Sequence, residues 1–273
     1  MQRISIEMLS RGEPSTARVL KSIEEQTFKD YDITCVNSSG NPEISDLLHE
    51  FKVKEIVAEP STKHLEARYL AHINSSGKFR LLLDSTRPLE PNALELLISK
   101  YSGFKAVCIR EGSLGQGFWV KQADLLRSSS EMLFKKTVGN TPAYILPRFY
   151  RSEILDEAFK FLKSVINVEL FKKIGYGEHH LIYDAAKLKS SEIAITDEIL
   201  LKHFEDSSAR MILRKYTSYG KSQRTLNMLS VNLKAKKLSS HRRPLSRKLI
   251  IPMTKTVPLR LLRVSGFLLG YLF

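Results

Sequence analysis

The most suggestive chemical group in the sequence is a carboxylate at the end of an apolar run. The run 79–83 ends on Asp84, and a turn with two prolines and a helical pattern follow. In parallel α/β sheets, ligands bind at the carboxyl ends of strands. A carboxylate there can hold a divalent cation against a diphosphate. An aspartate before such a turn can equally cap a helix or form the turn, so Asp84 alone leaves both interpretations open.

Histidines form a second set of candidate groups. His179 and His180 follow Glu178 in a helical stretch, and His203 lies downstream. A histidine can act as a base near neutral pH, because its unperturbed pKa is about 6.5. Together with Asp84 these imidazoles could also form a transition-metal site, but their spacing is not diagnostic of one. Surface or catalytic histidines are therefore the preferred interpretation.

The elements that must position these residues alternate between strand and helix patterns. Strand patterns cover 3–9, 31–36, 54–58, 79–83 and 105–109, and helical patterns cover 14–26, 43–51, 63–75 and 91–101. Short strands that alternate with helices indicate an α/β domain with a mostly parallel sheet.

Beyond residue 110 the pattern is looser. Residues 112–120 contain three glycines and predict a mobile loop that leads into a helix. Further patterns predict a strand and a helix start in 143–155, a helix in 176–189, a strand in 191–196 and a long helix in 207–233. Gly220 leaves the continuity of that last helix open.

Cysteine usage and the N-terminus favour a reducing compartment. Cys35 and Cys108 both lie inside apolar runs, which predicts a buried, reduced pair. The first residues lack the apolar segment of a cleaved signal peptide. We expect a cytoplasmic location.

The net charge of +14 is concentrated at the C-terminus. Residues 207–273 contain fifteen Lys and Arg and no acid, whereas the preceding residues contain 28 basic and 29 acidic ones. The first 206 residues are thus nearly neutral, and the remaining residues form a basic tail. Such a tail suits an anionic partner: a membrane lipid, a nucleic acid or a phosphorylated substrate.

The last apolar segment predicts a membrane-surface helix. Only ten residues with few polar groups run from Val264 to Phe273, and a bilayer span needs about 20 apolar residues. Arg260 and Arg263 lie one helical turn apart, and Phe267 belongs to the apolar surface, so the segment is typical of an interfacial anchor attracted to anionic lipid. A helix docked on the body is the alternative. The tail lacks a nucleic-acid module or an aromatic platform, which argues against nucleic acid.

Several blocks, taken in order, resemble the family 2 glycosyltransferases, which have the GT-A nucleotide-sugar fold. They are "LKSIEEQTFKDYDITCVNSSG", "EARYLAHINSSGKFRLLLDST", "LEPNALELL" and "YGEHHLIYDAAKLKSSEIAITDEILLKHFEDSSARMILRKYTSYGKS". The stretch "IREGSLGQGFWVKQADLLR" is similar to the donor-side loop of archaeal members that act on lipid-linked sugars. The resemblance covers about residues 3–225. It implies a GT-A domain over 1–225 and a basic, amphipathic, membrane-associating extension over 226–273.

The resemblance also assigns roles to residues that bind the donor. Asp84 matches the first acid of the DxD motif, which contacts the ribose or the metal-bound diphosphate. Thr86 occupies the position of the second acid, a ligand of Mn²⁺ or Mg²⁺. Asn37 stands where an aspartate commonly binds uracil or ribose. Arg68 matches the arginine of the "ARN" block, which is structural or lies close to the phosphates.

Two further positions concern catalysis and the metal. Glu178 and His179 match the "ED" pair, whose aspartate usually deprotonates the acceptor hydroxyl. His203 matches a histidine that completes the metal or diphosphate site, so Asp84 and His203 are the candidate metal ligands.

Three expected acids are therefore replaced, by Asn37, Thr86 and His179. A site with fewer carboxylates holds Mn²⁺ or Mg²⁺ less tightly, and Arg and Lys can neutralise a leaving diphosphate instead. The resemblance implies a glycosyltransferase at the cytoplasmic face of the membrane. It would move a sugar from a nucleotide-diphosphate donor to a hydroxyl of a lipid-linked or surface glycan, with inversion. A non-catalytic relative that binds a nucleotide or glycan, or scaffolds another transferase, is the alternative.

Overall fold

The computed structural model describes residues 3–134, 146–190, 192–232 and 255–273. The strands within these ranges are β1 (Ile4–Ser10), β2 (Tyr31–Asn37), β3 (Lys54–Val57), β4 (Phe79–Asp84), β5 (Ala106–Leu114), β6 (Pro147–Arg151) and β7 (Ile193–Phe204). The helices are α1 (Thr16–Glu24), α2 (Pro42–Glu50), α3 (His64–Ile73), α4 (Ala93–Tyr101), α5 (Phe118–Phe134), α6 (Ser152–Val165), α7 (Val168–Lys173), α8 (Glu178–Lys187), α9 (Ala209–Asn232) and α10 (Val257–Leu272).

The strands form one seven-stranded sheet in the order β3-β2-β1-β4-β6-β5-β7. Its pairs are parallel except for those of β6, which is antiparallel to β4 and to β5. Every residue of β1 is buried, as expected for a central parallel strand covered on both faces. The predicted α/β fold, with a mostly parallel sheet flanked by helices and a helical C-terminal segment, is confirmed.

The strand order creates a switch point beside β1. The chain adds β2 and β3 on one side of β1 and then crosses to the other side with β4. In the register, Leu9 lies opposite both Val36 and Asp84, so the strands end at the same edge. The antiparallel β6 begins at this edge, close to Arg148. Side chains from separate segments therefore converge where α/β folds bind ligands.

The glycine-rich stretch 112–120 differs from the sequence prediction. It is not a loop throughout, because β5 continues to Leu114 and pairs with β7, with Ser113 opposite His203. The turn is confined to three residues, of which Gly115 and Gly117 have φ angles of 118° and 101°. The pairing partner, not the local composition, sets where this strand ends.

Both cysteines are buried and free, as predicted. Cys35 belongs to the main apolar cluster beneath the sheet, and Trp119 packs against a smaller cluster formed by Ala123, Ile212 and Leu259. This small cluster joins α5, α9 and α10.

Helix α9 is continuous through Gly220, and α10 lies along it. The two helices approach each other closely because a glycine of each helix faces the backbone of the other. A Cβ on Gly220 would collide with the carbonyl oxygen of Phe267, and one on Gly270 with that of Thr217. The division of the chain into 1–225 and 226–273 stays a prediction, since α9 crosses residue 225 and residues 233–254 lie outside the described ranges.

Candidate functional site

Arg68 and Asp84 meet at the switch point of the sheet. Arg68 is fully buried, and its Nη1 donates to the carbonyl oxygens of Glu7 on β1, at 3.1 Å, and Leu83 on β4, at 2.8 Å. Its Nη2 donates to Asp84 Oδ1. The arginine of α3 thus bridges the two strands and reaches the carboxylate at the end of β4.

Two more arginines connect Asp84 with Glu111 on β5. Asp84 Oδ2 accepts from Arg87 and, at 3.3 Å, from Arg148 Nη1. Glu111 Oε1 accepts from the Nε atoms of the same two arginines, at 3.1 Å and 2.9 Å. Each carboxylate is therefore shared by two or more guanidinium groups.

The network continues to the end of β7. Arg127 on α5 donates to Glu111 Oε2 at 2.8 Å and also to Glu205. His203 Nδ1 lies 3.0 Å from Glu205 Oε1 and 3.2 Å from Arg127 Nη2. We call Arg68, Arg87, Arg127 and Arg148 the arginine cluster. Four arginines face the three carboxylates Asp84, Glu111 and Glu205, an excess of one positive charge among these seven side chains that the neighbouring Glu178 carboxylate can offset.

Charge pairing keeps the acids of this site ionised. Burial alone would raise the pKa of Asp84, but Arg68, Arg87 and Arg148 hold it well below its ordinary value. Burial opposes ionisation of Glu111 too, and Arg87, Arg148 and Arg127 still lower its pKa. His203 behaves in the opposite sense. Burial, with Arg87 nearby, lowers its pKa to about 4, so its ring is neutral at pH 7.

His179 contacts the same arginines. Its Nε2 lies 3.1 Å from Arg148 Nη1 and 3.3 Å from Arg68 Nη2. Burial and these two cations hold its pKa well below the ordinary value. Because a guanidinium can only donate, Nε2 acts as the acceptor, and its lone pair is already engaged. Glu178 is the first residue of α8, is buried, and has Oε1 3.6 Å from that Nε2.

Asn37 and Thr86 lie outside these contacts. Asn37 is two strands from Asp84, about 10 Å at ordinary strand spacing. Its Nδ2 donates to Glu55 Oε1 at 2.7 Å and its Oδ1 accepts from the backbone N–H of Ser39 at 3.0 Å. The Thr86 carbonyl accepts the N–H of Phe204 at 3.0 Å, which ties the turn after β4 to the end of β7.

Five members of the site were not expected from the sequence: Arg87, Glu111, Arg127, Arg148 and Glu205. The sequence gives one indication of Arg87, because it lies only three residues after Asp84. Glu111 and Arg127 lie in the stretch that is similar to a donor-side loop, but no feature of that stretch points to these two side chains. Arg148 has no sequence signal, and only the pairing of β6 with β4 and β5 brings it to Asp84 and Glu111.

The arrangement suits an anion better than a divalent cation. Both Asp84 oxygens are engaged by guanidinium groups, and His203 is engaged by Glu205 and Arg127. Across the described ranges, no group of three or more His, Cys, Asp or Glu side chains is placed to hold a metal ion. The Asp84–His203 metal site remains a prediction.

The predicted membrane-associating residues all lie on α10. Arg260 Nε donates to Thr256 Oγ1 at 3.0 Å, Arg263 stacks over Tyr216 at 5.1 Å, and Phe267 stacks on Tyr271. The most exposed apolar residues of this helix are others, including Leu261, Leu268 and Leu272. Within the described residues, none of the helices combines the length and hydropathy needed to cross a membrane.

The seven-stranded sheet and its flanking helices have the fold of solved GT-A glycosyltransferases. Similar solved structures include TarS from S. aureus in complex with UDP (TM-score 0.58, 16% identity over 86% of this chain and 67% of that one). TarS with UDP-GlcNAc has a TM-score of 0.56 at 12% identity, covering 97% of this chain and 73% of that one. The mannosyltransferase PcManGT from Pyrobaculum calidifontis, in complex with GDP-Man and Mn²⁺, has a TM-score of 0.54 at 11% identity, covering 98% and 72%. No protein-family model and no curated protein matches the chain.

Proposed function

We propose that this protein is a glycosyltransferase of the family 2 type that uses a nucleotide-diphosphate sugar. It transfers the sugar to a hydroxyl of a lipid-linked or surface glycan. The observation that carries the proposal is the arginine cluster around Asp84, at the switch point of a GT-A fold. A cluster of four guanidiniums, of which Arg68 and Arg148 are buried, is suited to bind a diphosphate through paired, charge-assisted hydrogen bonds.

The expected reaction is an in-line displacement with inversion. The acceptor oxygen forms a bond to the anomeric carbon while the bond from that carbon to the diphosphate oxygen breaks. The diphosphate leaves with the bonding electron pair, and guanidinium groups such as those of Arg87 and Arg148 stabilise its developing charge.

Glu178 is the preferred base. A base must have a free lone pair within reach of the acceptor hydroxyl. The Nε2 lone pair of His179 is engaged by Arg148 and Arg68, and its low pKa makes it a weak base. Glu178 is adjacent, and we infer that it takes the acceptor proton while His179 positions the arginines.

Neutralisation by arginine makes a divalent cation dispensable in this proposal. This proposal is supported by the pairing of the carboxylates Asp84, Glu111 and Glu205 with arginines, which leaves few of their oxygens available to a cation. The alternative is Mn²⁺ or Mg²⁺ at Asp84, with displacement of its guanidinium partners. GDP-Man and Mn²⁺ occur together in PcManGT.

The site of action is proposed to be the cytoplasmic membrane face. The apolar side chains exposed on α10 and the acid-free segment 207–273 support peripheral attachment to anionic lipid.

The test is donor turnover by the purified chain. UDP- and GDP-sugars are supplied with a membrane lipid extract, and nucleotide release is followed with Mn²⁺, with Mg²⁺ and with EDTA. We expect release that persists in EDTA. Release that EDTA abolishes and Mn²⁺ restores would replace the arginine mechanism with the metal alternative.

A variant distinguishes the two candidate bases. Glu178→Gln should lower kcat by about 10²–10⁴-fold, the usual contribution of a positioned base, with an unchanged Kd for the nucleotide. Glu169→Gln, at an exposed position on α7, is the control and should retain full activity. An active Glu178→Gln variant together with an inactive His179→Asn variant would make His179 the base.

A non-catalytic role remains a second candidate because three acids of the resembled motif are replaced and the polar atoms of Asn37 are engaged within the chain. Saturable nucleotide binding without turnover of any donor would support that role.

A further inference from the structure

A second positively charged site lies beside the arginine cluster. It is a cavity of about 200 Å³ between the loop after β1, the start of α3, the end of α7 and one face of α9. Its walls consist of Arg11, Lys63, His64, Lys173, Gly175, Tyr176, Ser218, Tyr219, Lys221, Ser222 and Thr225. We call it the basic cavity.

The cations of the basic cavity have no acidic partner. None of its lining residues is an acid. Among the described residues, Lys63, Lys173 and Lys221 form no ion pair, and the Arg11 guanidinium donates to the Thr62 carbonyl at 2.9 Å. Four uncompensated cations around one concave space attract an anion.

Neutral hydrogen-bonding groups complete the walls. Nδ1 of His64 is buried and has no hydrogen-bond partner within the described part of the chain. A side chain at Gly175 would come within 3.2 Å of Ser222 Oγ and 3.8 Å of this Nδ1, so the glycine keeps the space open. Cations around hydroxyl and imidazole groups are the usual recognition chemistry for a phosphate ester.

Tyr219 connects the basic cavity with the candidate catalytic residues. Its ring stacks on Tyr176 with centroids 3.7 Å apart. Burial is the main cause of its raised pKa, and both Arg87 and Glu178 also act on it. The phenol is thus within electrostatic reach of the arginine cluster and of the proposed base. Gly175 and Tyr176 line the cavity, and Glu178 lies two residues after Tyr176.

We propose that the basic cavity binds a phosphate group carried by the acceptor. This inference rests on the proposed function, in which the arginine cluster receives the diphosphate of the donor. Because Gly175 and Tyr176 line the cavity and Glu178 follows two residues after Tyr176, an acceptor held by its phosphate there is placed close to the proposed base. The acceptor is therefore a phosphate ester, either a polyprenyl phosphate carrier or a polyol phosphate.

The test compares two ligands in the full-length chain. Calorimetry measures the Kd of sn-glycerol 3-phosphate and of UDP for the wild type and for the variant Lys173→Gln/Lys221→Gln. We expect the Kd of glycerol phosphate to rise at least tenfold, while that of UDP changes less than twofold. The control Lys121→Gln/Lys172→Gln removes two exposed lysines outside the cavity and should change neither value.

A third arm identifies the source of the phosphate. Undecaprenyl phosphate in neutral detergent micelles is titrated in the same way. If the wild type binds only this lipid and the variant Lys173→Gln/Lys221→Gln binds it more weakly, the proposal holds with a lipid carrier as the acceptor. If the wild type binds glycerol phosphate and the same variant binds it more weakly, the proposal holds with a polyol phosphate.

The contradicting results are equally specific. Equal losses of UDP and glycerol phosphate affinity would assign the cavity to the donor and overturn the proposal. Failure of the wild type to bind either phosphate ester would do the same. If the wild type binds glycerol phosphate in the cavity but no UDP or GDP, the phosphate site stands and the proposed glycosyltransferase function fails.

Discussion

At the residue scale, the site is held together by shared ion pairs. Asp84 and Glu111 each accept from three arginines. Removal of one carboxylate would leave buried guanidiniums uncompensated, which typically costs about 3–5 kcal/mol. The acids therefore stabilise the very cations that we propose for diphosphate binding, and their neutralisation should affect folding as well as binding.

The buried histidines predict a loss of stability in mild acid. His203 has a pKa of about 4 in the folded chain, against about 6.5 when unfolded. The unfolded state thus binds the proton more readily, and the stability present above pH 6.5 is lost as the pH falls toward 4. For His203 this amounts to about 3 kcal/mol at most. The lowered pKa values of Asp84, Glu111 and Glu205 act at still lower pH.

Urea unfolding between pH 6.5 and 4 checks this prediction. His203→Gln should show a shallower pH dependence than the wild type, with the remainder due to His179 and His180, whose pKa values burial also lowers. His49→Gln, at an exposed histidine, should retain the full slope. An unchanged slope in His203→Gln would contradict the assignment of a neutral, buried imidazole.

Sequence reasoning found part of this site. Motif position points to Arg68, Asp84 and His179, and the structure brings these three side chains into contact. The remaining arginines were missed, because a charged residue in a sequence carries no indication of its partner. Arg148 reaches Asp84 only through the antiparallel insertion of β6 into a parallel sheet.

At the element scale, the early alternation of strands and helices could be predicted because each element has its own apolar periodicity. The end of β5 could not, since it depends on pairing with a strand about 90 residues later. The same holds for α9, in which Gly220 suggested an interruption. The glycine instead permits contact with α10.

The glycine contacts between α9 and α10 make a sharp prediction. Gly270→Ala adds one methyl group that would overlap the carbonyl of Thr217, so the helices must separate. We expect a loss of about 1–3 kcal/mol, the usual cost of overpacking, and faster tryptic cleavage at Arg260 and Arg263. Gly103→Ala, where nothing lies within 4 Å, is the control for thermal unfolding and proteolysis. Equal behaviour of the two variants would show that α10 is not docked as described.

At the scale of the whole molecule, charge and apolar surface are found on the same part of the chain. Leu261, Leu268 and Leu272 on α10 are 63%, 49% and 65% exposed, and Arg210 and Arg214 are exposed on the neighbouring α9. An apolar strip accompanied by basic side chains is suited to the surface of an anionic bilayer.

Vesicle sedimentation tests the proposed attachment. Leu261→Gln/Leu268→Gln/Leu272→Gln should bind vesicles of phosphatidylglycerol and phosphatidylcholine at least tenfold more weakly, since about 1.4 kcal/mol of lost apolar burial is sufficient for that factor. Added salt should weaken wild-type binding as well. Val57→Gln/Val168→Gln removes two exposed apolar side chains elsewhere and should bind like the wild type. Equal binding by all three proteins would refute attachment through α10.

Helix α9 also has a consequence for the distance at which the protein works. Thr217 and Gly220 face α10, whereas Ser218, Ser222 and Thr225 line the basic cavity on the other side of the same helix. If the exposed face of α10 rests on a bilayer, both α10 and α9 lie between the lipid surface and the cavity, a separation of about 20 Å, or two helix diameters. The helix pair then acts as a fixed spacer. A phosphate carried on an extended polyol chain can span that distance, whereas the phosphate of a polyprenyl carrier would have to rise out of the headgroup layer.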